Sequence, residues 1–404
     1  MTRSWKSLTR NAKKVCMADF FWNLGRTFPH AILTIFLMRQ GCTLTQLAVL
    51  QSIYMVVAML TEFPSGIWAD VFSRKRIYLL SFVVLFLSYL SIGFFSNNFT
   101  VLCVSYALYG LSVSLKSGTL EAEVILELSQ SEEHIKEYSI ISSYLLSISS
   151  IMGGLIGSFL YPYLHENIYI ISLFLFSTAF FFALSCSFGG KRAVSQSGRH
   201  SLYKEIVEGL SIIRDSKALR YILGLLAVSM LFTQPFFQYW QVLYQNSNVP
   251  EQYFGLIYIL FQLCSVIGTA IYGRLKVRNQ QSIVILVIIP VIYGMISLFP
   301  WVSLVSLPLS VITFYVYGMH LDVLQKQHAP PRHISSFLSL SGTIQNIASI
   351  ASLFIMASCI NKIGIKWAYF IVFILFALSA GILQLLLNGI IAQDIERQET
   401  ELLC

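Results

Sequence analysis

Four polar side chains recur at helical spacing in an apolar segment near the start of the chain, at Asp19, Asn23, Arg26 and His30. Steps of four, three and four residues place them on one face of an α-helix. A carboxylate on such a face could take up a proton, and the arginine could tune that carboxylate or contact an anionic group. The spacing is equally typical of a buried ion pair that locks helices together, so both interpretations stay open.

A second apolar segment contains Lys116, Glu121 and Glu123. Lys116 and Glu123 are seven residues apart, so one helix face could hold both. A carboxylate buried there could exchange a proton near neutral pH, whereas the alternative is a structural pair with Arg26 or Lys116. The residue types therefore indicate Asp19, Glu121 and Glu123 as candidate carriers of a proton.

Glutamines recur with the same periodicity in the second half of the chain, beside aromatic residues. The set is Gln234, Gln238, Gln241 and Gln245, with Tyr239 and Trp240. A neutral polar face among aromatic rings would suit an amphipathic or cationic organic substrate, although glutamine can also join helices to each other. We expect Gln234, Gln238, Tyr239, Trp240 and Gln241 to line a substrate cavity together with Asn23, Arg26, His30 and Lys116.

Charges inside such segments stand out because the whole chain is apolar. Of its 404 residues, 56% are hydrophobic and only 11% are charged, and the mean hydropathy is +0.70. A soluble domain has about 25% charged residues. Residues 77–95, 168–188 and 367–391 hold no charge and are long enough to cross a bilayer as helices, and they do not alternate like barrel strands. The composition predicts an all-α integral membrane protein.

Apolar stretches and their breakers predict twelve transmembrane helices. They lie near residues 15–37, 45–68, 77–95, 99–124, 139–162, 168–188, 221–243, 253–272, 282–299, 301–324, 335–359 and 367–391. We expect two six-helix bundles, residues 1–188 and 221–404, joined by a cytoplasmic linker at 189–220 that contains an amphipathic helix. Pro29 and Pro235 are expected to break the first and seventh helices.

The distribution of Lys and Arg predicts the orientation. With the first residue in the cytoplasm, most of the 27 Lys and Arg residues fall on inner segments. Both termini are therefore expected in the cytoplasm of a protein that spans the cell membrane. The same distribution explains the net charge of +8 without any nucleic-acid partner.

A charged loop between the second and third predicted helices gives the most specific motif. The stretch "EFPSGIWADVFSRKR" (62–76) contains Gly66, Asp70, Arg74, Lys75 and Arg76 in the pattern G-x-x-x-D-x-x-x-R-K-R. This pattern resembles the loop motif of the major facilitator superfamily. With "EFPS" before it, and with "LTQLAVLQSIY" (44–54) and "SGTLEAEV" (117–124), the chain is most similar to the Gram-positive multidrug-efflux-like branch of that superfamily.

Two positions depart from the pattern of that family. Tyr106 stands four residues before Gly110, where the family places an arginine, and "GGLIGS" (153–158) lacks the proline of the antiporter motif. These departures concern proton–drug antiport and leave the predicted fold unchanged. The resemblance implies that Glu62, Gly66, Asp70, Arg74, Lys75 and Arg76 form a conformational gate that latches the two halves on the cytoplasmic side.

The resulting hypothesis is a secondary-active transporter that works by alternating access. We expect a proton-coupled exporter of amphipathic or lipophilic small molecules that acts in the lipid bilayer, with one chain sufficing. The alternatives are export of a small peptide or metabolite, or import of an anionic or zwitterionic solute, which Arg26 and Lys116 would favour. No enzymatic activity and no cofactor are expected, because the sequence contains no phosphate-cradling loop and no metal-ligand spacing.

Overall fold

A computed structural model describes residues 8–117, 119–128, 132–188, 216–274, 300–328 and 334–403, together with Trp5 and Arg214. All the regular secondary structure within these ranges is helical. The chain divides into two compact units. The first contains Met1–Gln196 and Pro250–Ile259, and the second contains Ser197–Val249 and Leu260–Cys404.

The first unit is built from eight helices and the start of a later one. The helices are α1 (Arg10–Thr27), α2 (Leu33–Arg39), α3 (Leu44–Phe72), α4 (Arg74–Phe95), α5 (Phe99–Lys116), α6 (Leu120–Glu127), α7 (Glu132–Leu164) and α8 (Ile168–Leu184). In this unit α5 packs against α3 and α4, while α1 packs against α7 and α8. Side chains of the polar face of α1 also contact α4, α5 and α7.

The second unit contains the remaining helices. They are α9 (Lys217–Asn246), α10 (Phe254–Arg274, whose first turns belong to the first unit), α11 (Pro300–His328), α12 (Ile334–Ile363) and α13 (Ile365–Leu403). Helix α9 packs against α11, α12 and α13. The rings of Phe232, Phe314, Phe373 and Phe376 meet at the centre of this packing.

The helices match the predicted spans, which confirms the all-α membrane fold. Every predicted span except the ninth has a helix at its position, and residues 282–299 lie outside the described residues. Nine helical stretches of the described chain are long and apolar enough to cross a membrane, one of which, Ile141–Leu184, covers the fifth and sixth predicted spans. Most of the predicted linker, residues 189–213 and 215, also lies outside the described residues.

The two prolines that were expected to break helices have opposite effects. Helix α1 ends at Thr27, and a 3-10 turn at His30–Ile32 follows Pro29, as predicted. The prediction for Pro235 is wrong, because α9 continues through it from Lys217 to Asn246. There the hydroxyl of Tyr369 donates to the carbonyl of Phe236 at 3.1 Å, which fixes this part of α9 against α13.

Close packing of α7 accompanies the break after α1. A Cβ atom added at Gly157 would lie 1.7 Å from the carbonyl oxygen of Phe28, and one added at Gly153 would lie 2.1 Å from the hydroxyl of Thr27. Two glycines four residues apart let two helices approach this closely. The sequence "GGLIGS" therefore holds α7 against the end of α1.

The fourth predicted span is interrupted rather than continuous. Helix α5 ends at Lys116, and α6 begins at Leu120. The hydroxyl of Thr119 donates to the carbonyl oxygen of Lys116 at 2.7 Å, so a side chain replaces the next turn of the helix. Lys116 and Glu123 consequently do not share one helix face, and that prediction is wrong.

Candidate functional site

Asp19 is a buried carboxylate at which three helices meet. It lies on α1 with 8% of its surface exposed. Its Oδ1 atom is 2.7 Å from the ammonium of Lys116 at the end of α5, and it accepts a hydrogen bond of 2.6 Å from the hydroxyl of Tyr78 on α4. A buried charge needs such partners, because water is not there to solvate it. Asp19 therefore forms an ion pair that joins two helices, which is one of the two interpretations that its spacing allowed, and Lys116 is the cation.

Trp22 extends this cluster along α1. The ammonium of Lys116 lies 4.7 Å from the centroid of the Trp22 ring, and the guanidinium carbon of Arg26 lies 5.3 Å from it. Cations are attracted to the face of an indole ring. One aromatic side chain thus contacts both cations of the first unit's polar cluster.

Among the described residues, the hydrogen bonds of the Arg26 guanidinium are to neutral groups. Its Nη2 atom donates to Oδ1 of Asn23 at 3.1 Å, and Nη1 is 3.5 Å from the hydroxyl of Tyr109. Its Nε atom is buried and has no hydrogen-bond partner in the described part of the chain, and no described carboxylate pairs with this arginine. Lys116, not Arg26, therefore contacts Asp19, so the predicted direct action of Arg26 on that carboxylate has no contact to support it.

A group of tyrosines surrounds Arg26, and nothing in their spacing along the sequence indicated it. Tyr54 on α3 and Tyr109 on α5 have ring centroids 4.7 Å apart, and Tyr89 on α4 is 5.9 Å from Tyr109. The hydroxyl of Tyr89 donates to the carbonyl of Arg26 at 3.0 Å. Isolated tyrosines in apolar helices carry no periodic signal, so only the folded chain reveals this cluster.

Asn23 and His30 differ from what their spacing predicted. The Nδ2 atom of Asn23 is close to the hydroxyls of Ser149 and Ser150, at 2.8 and 2.7 Å, so this side chain joins α1 to α7. His30 is exposed in the 3-10 turn, where its ring lies 5.9 Å from that of Tyr258. Since α1 ends at Thr27, His30 does not continue the face that Asp19, Asn23 and Arg26 share.

The two acids of α6 lie apart from this cluster. Glu121 is exposed, whereas Glu123 is half-buried and 3.7 Å from the guanidinium of Arg74. Neither pairs with Lys116 or Arg26 in the described contacts. The break between α5 and α6 explains this arrangement, because it turns the acids towards the start of α4.

The predicted gate residues lie around the junction of α3 and α4. Lys75 donates to the backbone carbonyls of Leu184 and Cys186, at 2.8 and 2.6 Å, and Ser73 separates the helices with φ 139°. Glu62 and Arg76 are exposed. Gly66 and Asp70 lie on α3, and the side chain of Asp70 lies outside the described part of the structure.

An ion pair that the sequence did not suggest lies at the far end of the same unit. The guanidinium of Arg39, which ends α2, is 2.7 Å from the carboxylate of Glu251 and 3.4 Å from the hydroxyl of Tyr161 on α7. The Arg39 side chain is half exposed to solvent, with 50% of its surface accessible. This pair connects the end of α2 to the segment that precedes α10.

The glutamine row of α9 is divided between different environments. Gln234 and Gln238 are half-buried, Gln241 is buried and Gln245 is exposed. Tyr239 is buried and donates to the carbonyl of Leu353 on α12 at 3.2 Å, and Trp240 packs edge-on against Phe261. Tyr239 and Trp240 therefore serve helix packing, which corrects their assignment as cavity residues.

A cavity of about 170 Å³ lies within the second unit, among α9, α12 and α13. Its walls are mainly apolar, with Phe232, Pro235, Met356 and Phe376 among them, and Ser352 and Ser379 add hydroxyls. None of the four glutamines belongs to its lining. The predicted polar and aromatic face therefore lies outside this cavity.

Comparison with known proteins identifies the family to which the chain belongs. The sequence profile described as Major Facilitator Superfamily matches residues 15–325. A curated relative, the uncharacterized MFS-type transporter YxaM of Bacillus subtilis (strain 168), is 23% identical over 259 residues. That alignment covers 61% of this chain and 62% of the length of the relative.

Solved structures resemble the chain over nearly its whole length. A mutant form of the nucleoside transporter NupG has a TM-score of 0.79 with 12% identity, and the match covers 94% of this chain and 99% of that one. A bacterial metal transporter has a TM-score of 0.70 with 15% identity, covering 95% and 99%. A POT family transporter in complex with 5-aminolevulinic acid also has a TM-score of 0.70, with 13% identity, covering 94% and 96%. At these identities the likeness concerns the fold.

Proposed function

The chain belongs to the major facilitator superfamily and is a multi-pass membrane transporter, and on that premise we propose that it exports amphipathic small molecules in exchange for protons. In this proposal Asp19 is the group that takes up and releases the proton. The observation that supports it is the contact of 2.7 Å between the buried carboxylate of Asp19 and the half-buried ammonium of Lys116 in the first unit.

Protonation would change this pair in a way that can drive a conformational step. A neutral Asp19 no longer attracts Lys116 strongly, whereas the hydroxyl of Tyr78 and the ring of Trp22 stay within reach of the freed groups. The protonated and ionised forms then favour different arrangements of α1, α4 and α5. A ligand can shift an equilibrium only through such a difference between two states, and here the ligand is the proton.

Export is supported by the segment of residues 62–76, whose sequence resembles the loop motif of the multidrug-efflux-like branch. We propose that Arg74 and Lys75 exchange their present partners during alternating access. These partners are Glu123 for Arg74, and the carbonyls of Leu184 and Cys186 for Lys75. Both termini lie in the cytoplasm in this proposal, and the membrane is the cell membrane. The excess of Lys and Arg on inner segments supports that orientation.

The proposed function is tested in inside-out vesicles that are acidified inside. Lipophilic cations, zwitterions, short peptides and amphipathic carboxylates are added in turn, and the collapse of the proton gradient is recorded. We expect one class of compound to collapse the gradient, and we expect Asp19→Asn to prevent it. Glu121→Gln is the matched control, because Glu121 is exposed and lies outside the Asp19 cluster.

Two results would contradict this proposal. If Asp19→Asn vesicles still lose their gradient when the compound is added, the proton uses another group. If labelled compound accumulates without any loss of the gradient, transport depends on another ion or on none. Transport of the labelled compound in the opposite direction would favour a second candidate, import of an anionic or zwitterionic solute. The observation that favours it is that Arg26 has no carboxylate partner among the described side chains.

A further inference from the structure

We propose that Arg26 binds the carboxylate of a monoanionic amphipathic substrate, with the aromatic rings around it contacting the apolar body of that molecule. This inference rests on the proposed transport function and names the class of its cargo. It assigns a ligand to a place in the first unit where α1, α3 and α5 approach one another through Arg26, Tyr54 and Tyr109.

The balance of charge is the first argument. Lys116 and Asp19 neutralise one another at 2.7 Å, whereas Arg26 has no carboxylate partner among the described side chains. An uncompensated charge within a membrane protein is costly and marks a functional position. A single negative charge from a bound molecule would neutralise this cluster, which is why the ligand is a monoanion rather than a dianion.

The donors of the guanidinium give the second argument. Nη2 binds the amide oxygen of Asn23, Nη1 is at 3.5 Å from a tyrosine hydroxyl, and the buried Nε has no described partner. A guanidinium has five N–H groups in one plane, and a carboxylate can accept two parallel hydrogen bonds from them. Nε has no described partner and lies on the same edge of the guanidinium as one N–H of Nη2, so a carboxylate bound at this edge would accept from Nε and share Nη2 with Asn23. The side chain of Arg26 as a whole is half-buried, so part of it is exposed although its Nε atom is buried.

The aromatic surroundings give the third argument. Trp22 stacks on Arg26 at 5.3 Å, and the rings of Tyr54 and Tyr109 lie 4.7 Å apart on helices α3 and α5. The indole nitrogen of Trp22 is also buried without a described hydrogen-bond partner. Rings in this arrangement offer apolar faces to a flat or aliphatic body, and their polar atoms add donors beside it. A cationic drug would instead meet the repulsion of Arg26.

Binding to the purified full-length protein tests this inference without any proton gradient. Isothermal titration calorimetry would compare 2-naphthylacetate with its amide and with naphthylmethyl-trimethylammonium, and octanoate with octanamide. We expect each carboxylate to bind at least about tenfold more tightly than its amide, since charge-assisted hydrogen bonds are about twice as strong as neutral ones. In Arg26→Gln this preference should disappear, whereas Arg39→Gln, which removes another arginine of the same unit, should keep it.

Arg26→Lys provides a second variant in case Arg26→Gln does not fold. It retains the charge and loses the paired donors, so it should keep only part of the preference. Equal binding of carboxylate and amide to the unaltered protein, or no binding of any carboxylate, would overturn the inference. A carboxylate preference that survives in both Arg26 variants would place the anion elsewhere.

The outcomes also separate this inference from the transport proposal. If carboxylates bind through Arg26 but no compound collapses the proton gradient, the cargo class stands and proton exchange is wrong. If only lipophilic cations collapse the gradient and carboxylates do not bind, proton exchange stands and the anion site is wrong.

Discussion

Arg26 and Lys116 lie against the same aromatic ring, the guanidinium carbon 5.3 Å and the ammonium nitrogen 4.7 Å from the centroid of Trp22. Lys116 belongs to the pair that we propose binds the proton, and Arg26 belongs to the proposed anion site. A change in the position of one cation therefore alters the surroundings of the other through a single side chain. This contact offers a short physical route between proton and cargo.

Replacing Trp22 should accordingly affect both events. In Trp22→Leu we expect the affinity for cargo to fall, because Arg26 loses the ring that holds its guanidinium in place; a cation–π contact contributes about 0.5–2 kcal/mol, so the loss should not exceed about thirtyfold. We also expect the pH dependence of transport to shift, because Lys116 loses a contact beside Asp19. Transport assays at a series of pH values measure both the affinity for cargo and the pH dependence of transport. Trp367→Leu is the control, since that ring is exposed on α13, and an equal loss there would contradict the assignment.

The buried pair can be tested by a double-mutant cycle. Lys116→Gln leaves the carboxylate of Asp19 buried with Tyr78 as its remaining described partner, which should destabilise the protein by about 3–5 kcal/mol. The double variant Asp19→Asn/Lys116→Gln should recover most of the unfolding temperature but none of the proton exchange. Thermal unfolding in detergent and gradient collapse in vesicles measure the two effects. Equal destabilisation of the single and the double variant would argue against a buried ion pair.

The Arg39–Glu251 pair predicts a charge-swap rescue. The arginine is half exposed, so losing the pair should change stability by less than about 1 kcal/mol. We nevertheless expect Arg39→Glu and Glu251→Arg each to alter the transport rate, because like charges would replace a contact of 2.7 Å between α2 and the segment before α10. The swapped double variant should restore the rate. Failure of the swap in a folded protein would show that Tyr161, not Glu251, is the partner that matters.

The glycines of α7 predict a steric effect with a close control. In Gly157→Ala the new Cβ atom would overlap the backbone of Phe28, so α1 and α7 must separate, and we expect a loss of about 2 kcal/mol or more. Gly381→Ala on α13 places its Cβ in open space and should be neutral or slightly stabilising. The unfolding temperatures of the two variants, compared with that of the unaltered protein, measure these stability differences. A Gly157→Ala protein as stable as Gly381→Ala would contradict the packing of α7 on α1.

Much of the architecture could be predicted from the sequence, because apolar length alone identifies a membrane helix. The spacing of Asp19, Asn23 and Arg26 likewise showed that one face of α1 is polar, since α1 is helical throughout Arg10–Thr27. Periodicity failed after Lys116, where one helix ends and the next begins only at Leu120. The spacing of residues within one segment cannot detect such an interruption, so the predicted helix continued beyond Lys116.

The partners of the polar residues could not be predicted in the same way. The contact between Asp19 and Lys116 depends on which helices pack together, and no pattern within either helix contains that information. Tyr78 and Tyr109 look like any aromatic residue of an apolar span until their hydroxyls are seen beside charges. For Gln241 the polarity was read correctly, but a buried amide can serve packing as well as a cavity, so the sequence could not decide between them.

The pairing of Asp19 with Lys116 also has a consequence for how the protein is made. Ribosomal synthesis delivers α1 to the membrane before α5, so the carboxylate of Asp19 enters without its cation. A charge among apolar helices is costly without its partner, so α1 alone is a poor candidate for independent insertion. We expect α1 to remain at the insertion machinery until α4, α5 and α7 are synthesised. Tyr78, Lys116 and Ser149 on these helices then contact the polar residues of α1. The later helices of the first unit therefore complete its membrane insertion, because they supply the partners that α1 needs.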